Sequence, residues 1–187
     1  MQGLLHLQSV GVCHRDLSLE NVLVDTKNCL IIDMGMCLYV PYNHPDRPGS
    51  VTDATKATVR RLMKPQGVCG KHNYMSPDVF SNKRPFDGFS IDLWAAGVIL
   101  YIMLTGFPPY DQACLADQKF DIIVKGNLVR QLEEWGIVLS EDAGDLLQSM
   151  LQLDPRDRLT LADVMSHPWV INGEARPPPP SQPLPYH

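Results

Sequence analysis

The stretch His14-Arg15-Asp16-Leu17-Ser18-Leu19-Glu20-Asn21 sets a carboxylate and a carboxamide five positions apart, between the apolar runs Leu4-Leu5-His6-Leu7 and Val22-Leu23-Val24. Polar residues this dense between core-forming segments sit on a loop whose two ends are pinned. Upstream, Leu4, Leu5, Leu7 and Val10 form a helix-like apolar face that ends at Gly11. Downstream, Asn21 to Asp25 reads as a strand, Thr26-Lys27-Asn28 as a turn, and Cys29 to Ile32 as the returning strand of a hairpin. Asp33-Met34-Gly35 follows at once: a second carboxylate at a strand end, with a glycine that lets the backbone turn. A D-x-G sequence can simply terminate a strand. This one lies 12 residues after Asn21, across a single hairpin.

The rest of the composition bounds the class. A chain of 187 residues, 44% of them hydrophobic, suits one domain with a real core. A net charge of -5 and a pI near 5.6 argue against general nucleic-acid or acidic-membrane binding. The five cysteines are scattered and form no C-x-x-C pair, the usage expected of reduced thiols in an intracellular protein. The N-terminus has no basic segment ahead of an unbroken apolar run, so no secretory signal is read there. The most apolar span, Leu93 to Phe107, is 15 residues long and follows Asp92. A bilayer needs roughly 20, so a buried helix is expected. Together these readings predict a soluble, cytoplasmic protein, with the nucleus left open.

Residues 36 to 75 are polar and rich in turn formers, the mark of a functional or mobile segment. Residues 79 to 89 read as a loop. Asp92 to Leu100 opens a helix apolar nearly all round, with Ser90 as its expected N-cap and Asp92 in its first turn. Gly106-Phe107-Pro108-Pro109 ends it. Further helices are expected near 113 to 125 and 141 to 152, then a short one that stops at His167-Pro168-Trp169. Residues 171 to 187, with Pro177 to Pro180, Pro183 and Pro185, are expected to form an extended, disordered tail.

Taken in order, several of these stretches are motifs. H-R-D-x-x-x-x-N spans His14 to Asn21, and D-x-G spans Asp33 to Gly35 with Met in the middle. Cys69-Gly70-Lys71-His72-Asn73 leads into Tyr74-Met75-Ser76-Pro77-Asp78, and D-x-W-x-x-G spans Asp92 to Gly97. D-P-x-x-R-x-T runs from Asp154 to Thr160, and H-P-W from His167 to Trp169. The ordered set, from about residue 1 to 170, resembles a Ser/Thr protein kinase. Glu20 before Asn21 favours that class, since tyrosine kinases usually carry Arg there. The closing motifs are similar to those of calmodulin-dependent-type kinases.

The resemblance implies a mainly α fold: a kinase-like C-terminal helical lobe with a small β-hairpin beside the catalytic loop. These residues hold no G-x-G-x-x-G loop and no V-A-I-K lysine, so the N-terminal β lobe is expected to be absent. That leaves a fragment, an incomplete gene product, or a lobe that works without its partner.

The implied roles follow residue by residue. Asp16 would take the proton of a substrate hydroxyl, and Asn21 and Asp33 would hold Mg²⁺ on the phosphates of ATP. Arg15 would pair with a phosphorylated residue or make a structural ion pair. His14 would pack beneath the Asp33 turn. Asp92 would anchor the catalytic loop from below, unless it is only a helix-start carboxylate. Arg158 would pair with Asp78, where the family uses Glu.

Three positions depart from the pattern. Ser18 replaces the lysine that neutralises the transferring phosphate, and Lys71 replaces the threonine that braces the catalytic Asp. Lys71 could supply the charge lost at position 18, or be a solvated lysine. The usual phosphosite is Gly67, so Thr52, Thr55 and Thr58, near Arg60 and Arg61, are the candidate phosphosites. Cys69 and His72 are spaced like half a zinc site, with no second pair close by in sequence. The expected partners are a protein substrate and the missing lobe. The tail would be either a ligand for an SH3 or WW domain or simply flexible. The rival reading is a non-catalytic, pseudokinase-like interaction module, and the isolated chain is expected to have little or no activity.

Overall fold

A computed structural model of the chain describes residues 1–26, 29–40 and 62–173. Its axis is helix α3, Gly88–Thr105, whose side chains are apolar on every face. The helix is long and apolar enough to cross a bilayer by length and composition, but 67% of it is buried inside the protein. Its start differs from the sequence reading. Asp87, not Ser90, is the N-cap and accepts the Phe89 amide at 2.9 Å. Ser90 is instead buried in the helix, which moves Asp92 beyond the first turn and into the core. Gly106, at φ 87°, ends the helix by donating its amide to the Ile102 carbonyl at 2.8 Å.

Aromatic side chains pack the middle of α3. The Trp94 ring lies 6.2 Å from Tyr110 and 6.0 Å from Phe120, and Tyr110 meets Phe120 edge-on at 5.3 Å. The Trp94 indole N–H donates to the Tyr110 hydroxyl at 2.6 Å, and that hydroxyl donates to the Met75 carbonyl at 3.0 Å. Helix α6 (Glu141–Met150) packs across α3 where Gly97 leaves room. A Cβ on Gly97 would lie 3.1 Å from both Met150 and Leu151.

Other helices flank this core: α1 (Gln2–Ser9), α2 (Pro77–Ser81), α4 (Gln118–Val124), α5 (Leu128–Glu134), α7 (Leu161–Met165) and α8 (Pro168–Ile171). The helix expected near 113 to 125 starts only at Gln118. Asp117 caps it and also accepts the Asp111 and Gln112 amides at 2.9 and 3.0 Å, which holds the preceding residues in a loop. Helix α5 was not foreseen. Helix α2 occupies part of the expected loop after residue 78. Pro168 begins α8 at its first turn rather than ending a helix, as a missing N–H permits there. The tail residues 174–187 lie outside the described residues.

Two short antiparallel pairs complete the fold. Strands β2 (Val22–Val24) and β3 (Cys29–Ile31) form the hairpin, with Leu23 opposite Leu30. Strands β1 (Val12–Cys13) and β4 (Leu38–Tyr39) pair beside it, which two-residue strands do not announce in sequence. A second, smaller core of Cys13, Val40, Met63, Met75, Phe86 and Phe89 packs at the start of α3.

Candidate active site

Asp92 holds the start of the His14–Asn21 stretch to α3. Its Oδ2 accepts the His14 amide at 2.6 Å and its Oδ1 accepts the Arg15 amide at 2.8 Å. Both bonds hold Arg15 at φ 69°, a left-handed conformation that a non-glycine residue adopts only under constraint. Burial pushes the Asp92 carboxyl up to about 7, against the pull of the two amides. The fully buried His14 ring is the next support. Its Nδ1 accepts the Asp16 amide at 3.2 Å, so the proton sits on Nε2, which donates to the Ile32 carbonyl at 3.0 Å.

Asn21 closes the loop on itself. Its Nδ2 donates to the Asp16 carbonyl at 2.7 Å and to Asp16 Oδ2 at 3.2 Å, which leaves its own Oδ1 as an oxygen donor with no hydrogen bond among the described residues. Its backbone carbonyl accepts the Ile32 amide at 3.0 Å. Ile32 is thus bonded both to Asn21 and to His14, and Asp33 is the next residue. Asp33 is exposed at φ 63°, and its Oδ1 accepts the Gly35 amide at 3.3 Å.

The stretch before α2 closes over the other side of Asp16. Gly70, at φ 89°, lies so near the loop that a Cβ would sit 2.9 Å from the Arg15 carbonyl. The Lys71 amide donates to Asp16 Oδ1 at 3.2 Å. The Lys71 ammonium donates to the Ser18 hydroxyl at 2.8 Å and lies 3.9 Å from Asp16 Oδ2. Asp16, Cys69, Gly70, Lys71 and Tyr74 line one cleft. Glu20, read in the sequence only as a mark of class, and Tyr74, read only as part of a motif, join this cluster. Glu20 is held below the usual carboxylate range, first by its own backbone amide and then by the Ser18 hydroxyl, the Lys71 charge and the Tyr74 hydroxyl.

Arg15 donates through Nη1 to the Met36 carbonyl at 3.4 Å, while its buried Nε finds no partner among the described residues. Arg158 is nearly sealed from solvent. Its Nη2 reaches Asp78 Oδ2 at 3.1 Å, its Nη1 donates to the Ser90 carbonyl and hydroxyl at 3.0 and 2.9 Å, and its Nε donates to the Gln152 carbonyl at 3.1 Å. The guanidinium also stacks 4.9 Å from the Trp94 ring centre. The shorter Asp78 therefore meets Arg158 through one oxygen, and backbone carbonyls satisfy much of the rest.

Cys69 and His72 belong to no metal cluster: among the described residues no group of three or more His, Cys, Asp or Glu side chains could hold a metal ion. Thr52, Thr55 and Thr58, with Arg60 and Arg61, lie outside the described residues.

Comparison with known proteins gives the family. The family model described as "Protein kinase domain" matches residues 1–170. Serine/threonine-protein kinase DCLK3 of Mus musculus is 33% identical over 90% of this chain and 19% of its own length. Calcium-dependent protein kinase 21 of Arabidopsis thaliana is 36% identical over 89% of this chain and 28% of its own length. CBL-interacting protein kinase 17 of Oryza sativa subsp. japonica is 36% identical over 90% and 32%. The chain belongs to the protein kinase domain family, on its Ser/Thr side. It spans between about a fifth and a third of the length of these relatives.

Proposed function

We propose that residues 1–170 form the larger, substrate-binding lobe of a Ser/Thr protein kinase that phosphorylates protein hydroxyls with ATP and Mg²⁺. The observation that carries this reading is the fixed Asp16 side chain. Asn21 Nδ2 and the Lys71 amide each take one of its oxygens, so the carboxylate has a set direction. A base held in place can accept a proton without first reorganising.

The residues fit the metal that the family uses. Asn21 turns its amide nitrogen to Asp16 and keeps a neutral oxygen donor, while the exposed Asp33 offers a carboxylate one residue beyond Ile32. Mg²⁺ is commonly held by one or two such protein oxygens plus substrate phosphates. When bound, the ion would draw charge from the phosphate oxygens. Asp16 would take the proton of a Ser or Thr hydroxyl as that oxygen bonds the terminal phosphorus of ATP. The bond from that phosphorus to its bridging oxygen breaks, and ADP leaves. Asp92 and His14 keep Asp16 and the Asp33 turn in one rigid unit.

The test is nucleotide binding by thermal shift, with and without Mg²⁺, followed by phosphoryl transfer to a degenerate Ser/Thr peptide library, in the full-length protein. Metal-dependent stabilisation is expected, together with transfer that Asp16→Asn abolishes while nucleotide binding persists. A wild type that binds no nucleotide with Mg²⁺ points to a non-catalytic interaction module instead.

A further inference from the structure

We infer that Lys71, anchored on Ser18, carries the positive charge that meets the transferring phosphate, so that this charge comes from the segment before α2 and not from the catalytic loop. The inference rests on the kinase reading and names a further residue for the same site.

The argument starts from what surrounds Asp16. The reaction places negative charge on phosphate oxygens next to this carboxylate, and a nearby cation stabilises that charge. Position 18 offers a hydroxyl with no charge, fully buried. Arg15 is turned to the Met36 carbonyl, and Arg158 is sealed among α3 and the Asp154–Thr160 turn. Lys71 is different. Its amide is bonded to one Asp16 oxygen, and its ammonium is 3.9 Å from the other. That separation is too long for a hydrogen bond and short enough for attraction.

The Ser18 hydroxyl fixes the ammonium at 2.8 Å and uses one of its three N–H donors. The lysine side chain keeps 39% of its surface exposed, so a ligand can reach the remaining donors. Glu20 shares the charge from the rim of the cluster. An exposed lysine–carboxylate pair at this distance contributes little to stability, so folding alone gives weak reason for the placement. A coupling follows. Because Gly70, Lys71 and Tyr74 ride on one segment, any shift of that segment removes the cation, the amide on Asp16 Oδ1 and the contact with the Arg15 carbonyl together.

The test compares the wild type, Lys71→Gln, Lys71→Arg and the double exchange Ser18→Lys with Lys71→Thr, all in the full-length protein. Two quantities are read: kcat for peptide phosphorylation, and the ratio of ATP to ADP affinity by calorimetry with Mg²⁺. Lys71→Gln keeps a donor for Ser18 and loses the charge. It should lower kcat by about 10²–10³-fold and weaken ATP relative to ADP, with peptide KM little changed. The double exchange should recover transfer to within about tenfold of wild type, and Lys71→Arg gives the same check should lysine at the buried position 18 unfold the loop. A Lys71→Gln enzyme with wild-type kcat and affinity ratio overturns the inference and leaves the kinase reading standing. Transfer by the double exchange but not by the wild type overturns the inference together with the wild-type transfer on which it rests. Absence of transfer in every form overturns both.

Discussion

The Asp92 carboxylate, deep in the first half of α3, accepts the His14 amide at 2.6 Å across 78 residues of chain. Its second oxygen takes the Arg15 amide, so one buried side chain satisfies two backbone donors. Asp92→Asn keeps the shape and loses one acceptor, which sets an NH₂ group against a backbone N–H. Leaving a buried donor unpaired costs about 1–3 kcal/mol. A loss of that size is expected by urea unfolding. Phosphoryl transfer should fall as well, because Arg15 is held at φ 69° only while both amides are bound.

The same residue gives stability a pH dependence. Burial raises the Asp92 carboxyl from its usual 3.8 to about 7, so the folded protein binds this proton more tightly than the unfolded chain. The contribution is fully present below the unfolded value and is lost as pH rises through the folded one. Urea midpoints for the wild type should therefore decline between about pH 4 and about pH 7. In Asp92→Asn that part of the decline should vanish, and an unchanged slope would refute the assignment to Asp92.

Much of the helical frame was legible because α3 is apolar on every face and the proline and glycine punctuation is strong. The hairpin was legible too, since two short apolar runs flank the turn-type residues Thr26, Lys27 and Asn28. Boundaries were set by single side chains whose partners are remote. Ser90 looks like a cap in sequence, but its hydroxyl is bonded to Arg158, 68 residues away, and Asp87 caps instead. Helix α5 was hidden because Leu128 and Leu132 supply only one turn of periodicity. At the site, motif spacing puts Asp16 and Asn21 on one loop. No local pattern reveals that Glu20 meets the Lys71 charge and the Tyr74 hydroxyl, because those contacts span more than fifty residues.

Arg158 ties the turn between α6 and α7 to the segment that closes the site. One guanidinium joins Asp78 in α2, Ser90 in α3 and the Gln152 carbonyl after α6. Arg158→Met fills a similar volume but leaves the Asp78 carboxylate and the Ser90 and Gln152 carbonyls without their donor. Breaking a buried pair by removing one partner costs about 3–5 kcal/mol. Asp78 retains some solvent contact, so the lower end is expected. Guanidinium chloride unfolding would measure it, and a loss below about 1 kcal/mol, the scale of surface pairs, would show that the bridge is dispensable.

Gly67 and Gly70 separate backbone strain from contact. Their φ angles are nearly the same, 87° and 89°, so alanine at either position meets the same left-handed penalty of about 1–3 kcal/mol. Their surroundings differ. Among the described residues nothing lies within 4 Å of a Cβ on Gly67, whereas a Cβ on Gly70 would meet the Arg15 carbonyl at 2.9 Å and Asp16 Oδ1 at 3.3 Å. The carbonyl belongs to backbone that Asp92 already pins, so Asp16 and the Lys71 amide must move apart. Gly70→Ala should thus lower kcat by about 10²-fold, the scale of a 1 Å misplacement, while Gly67→Ala loses stability with little change in transfer. Equal kcat values for the two variants would mean that the close approach of Gly70 to the catalytic loop does not position Asp16.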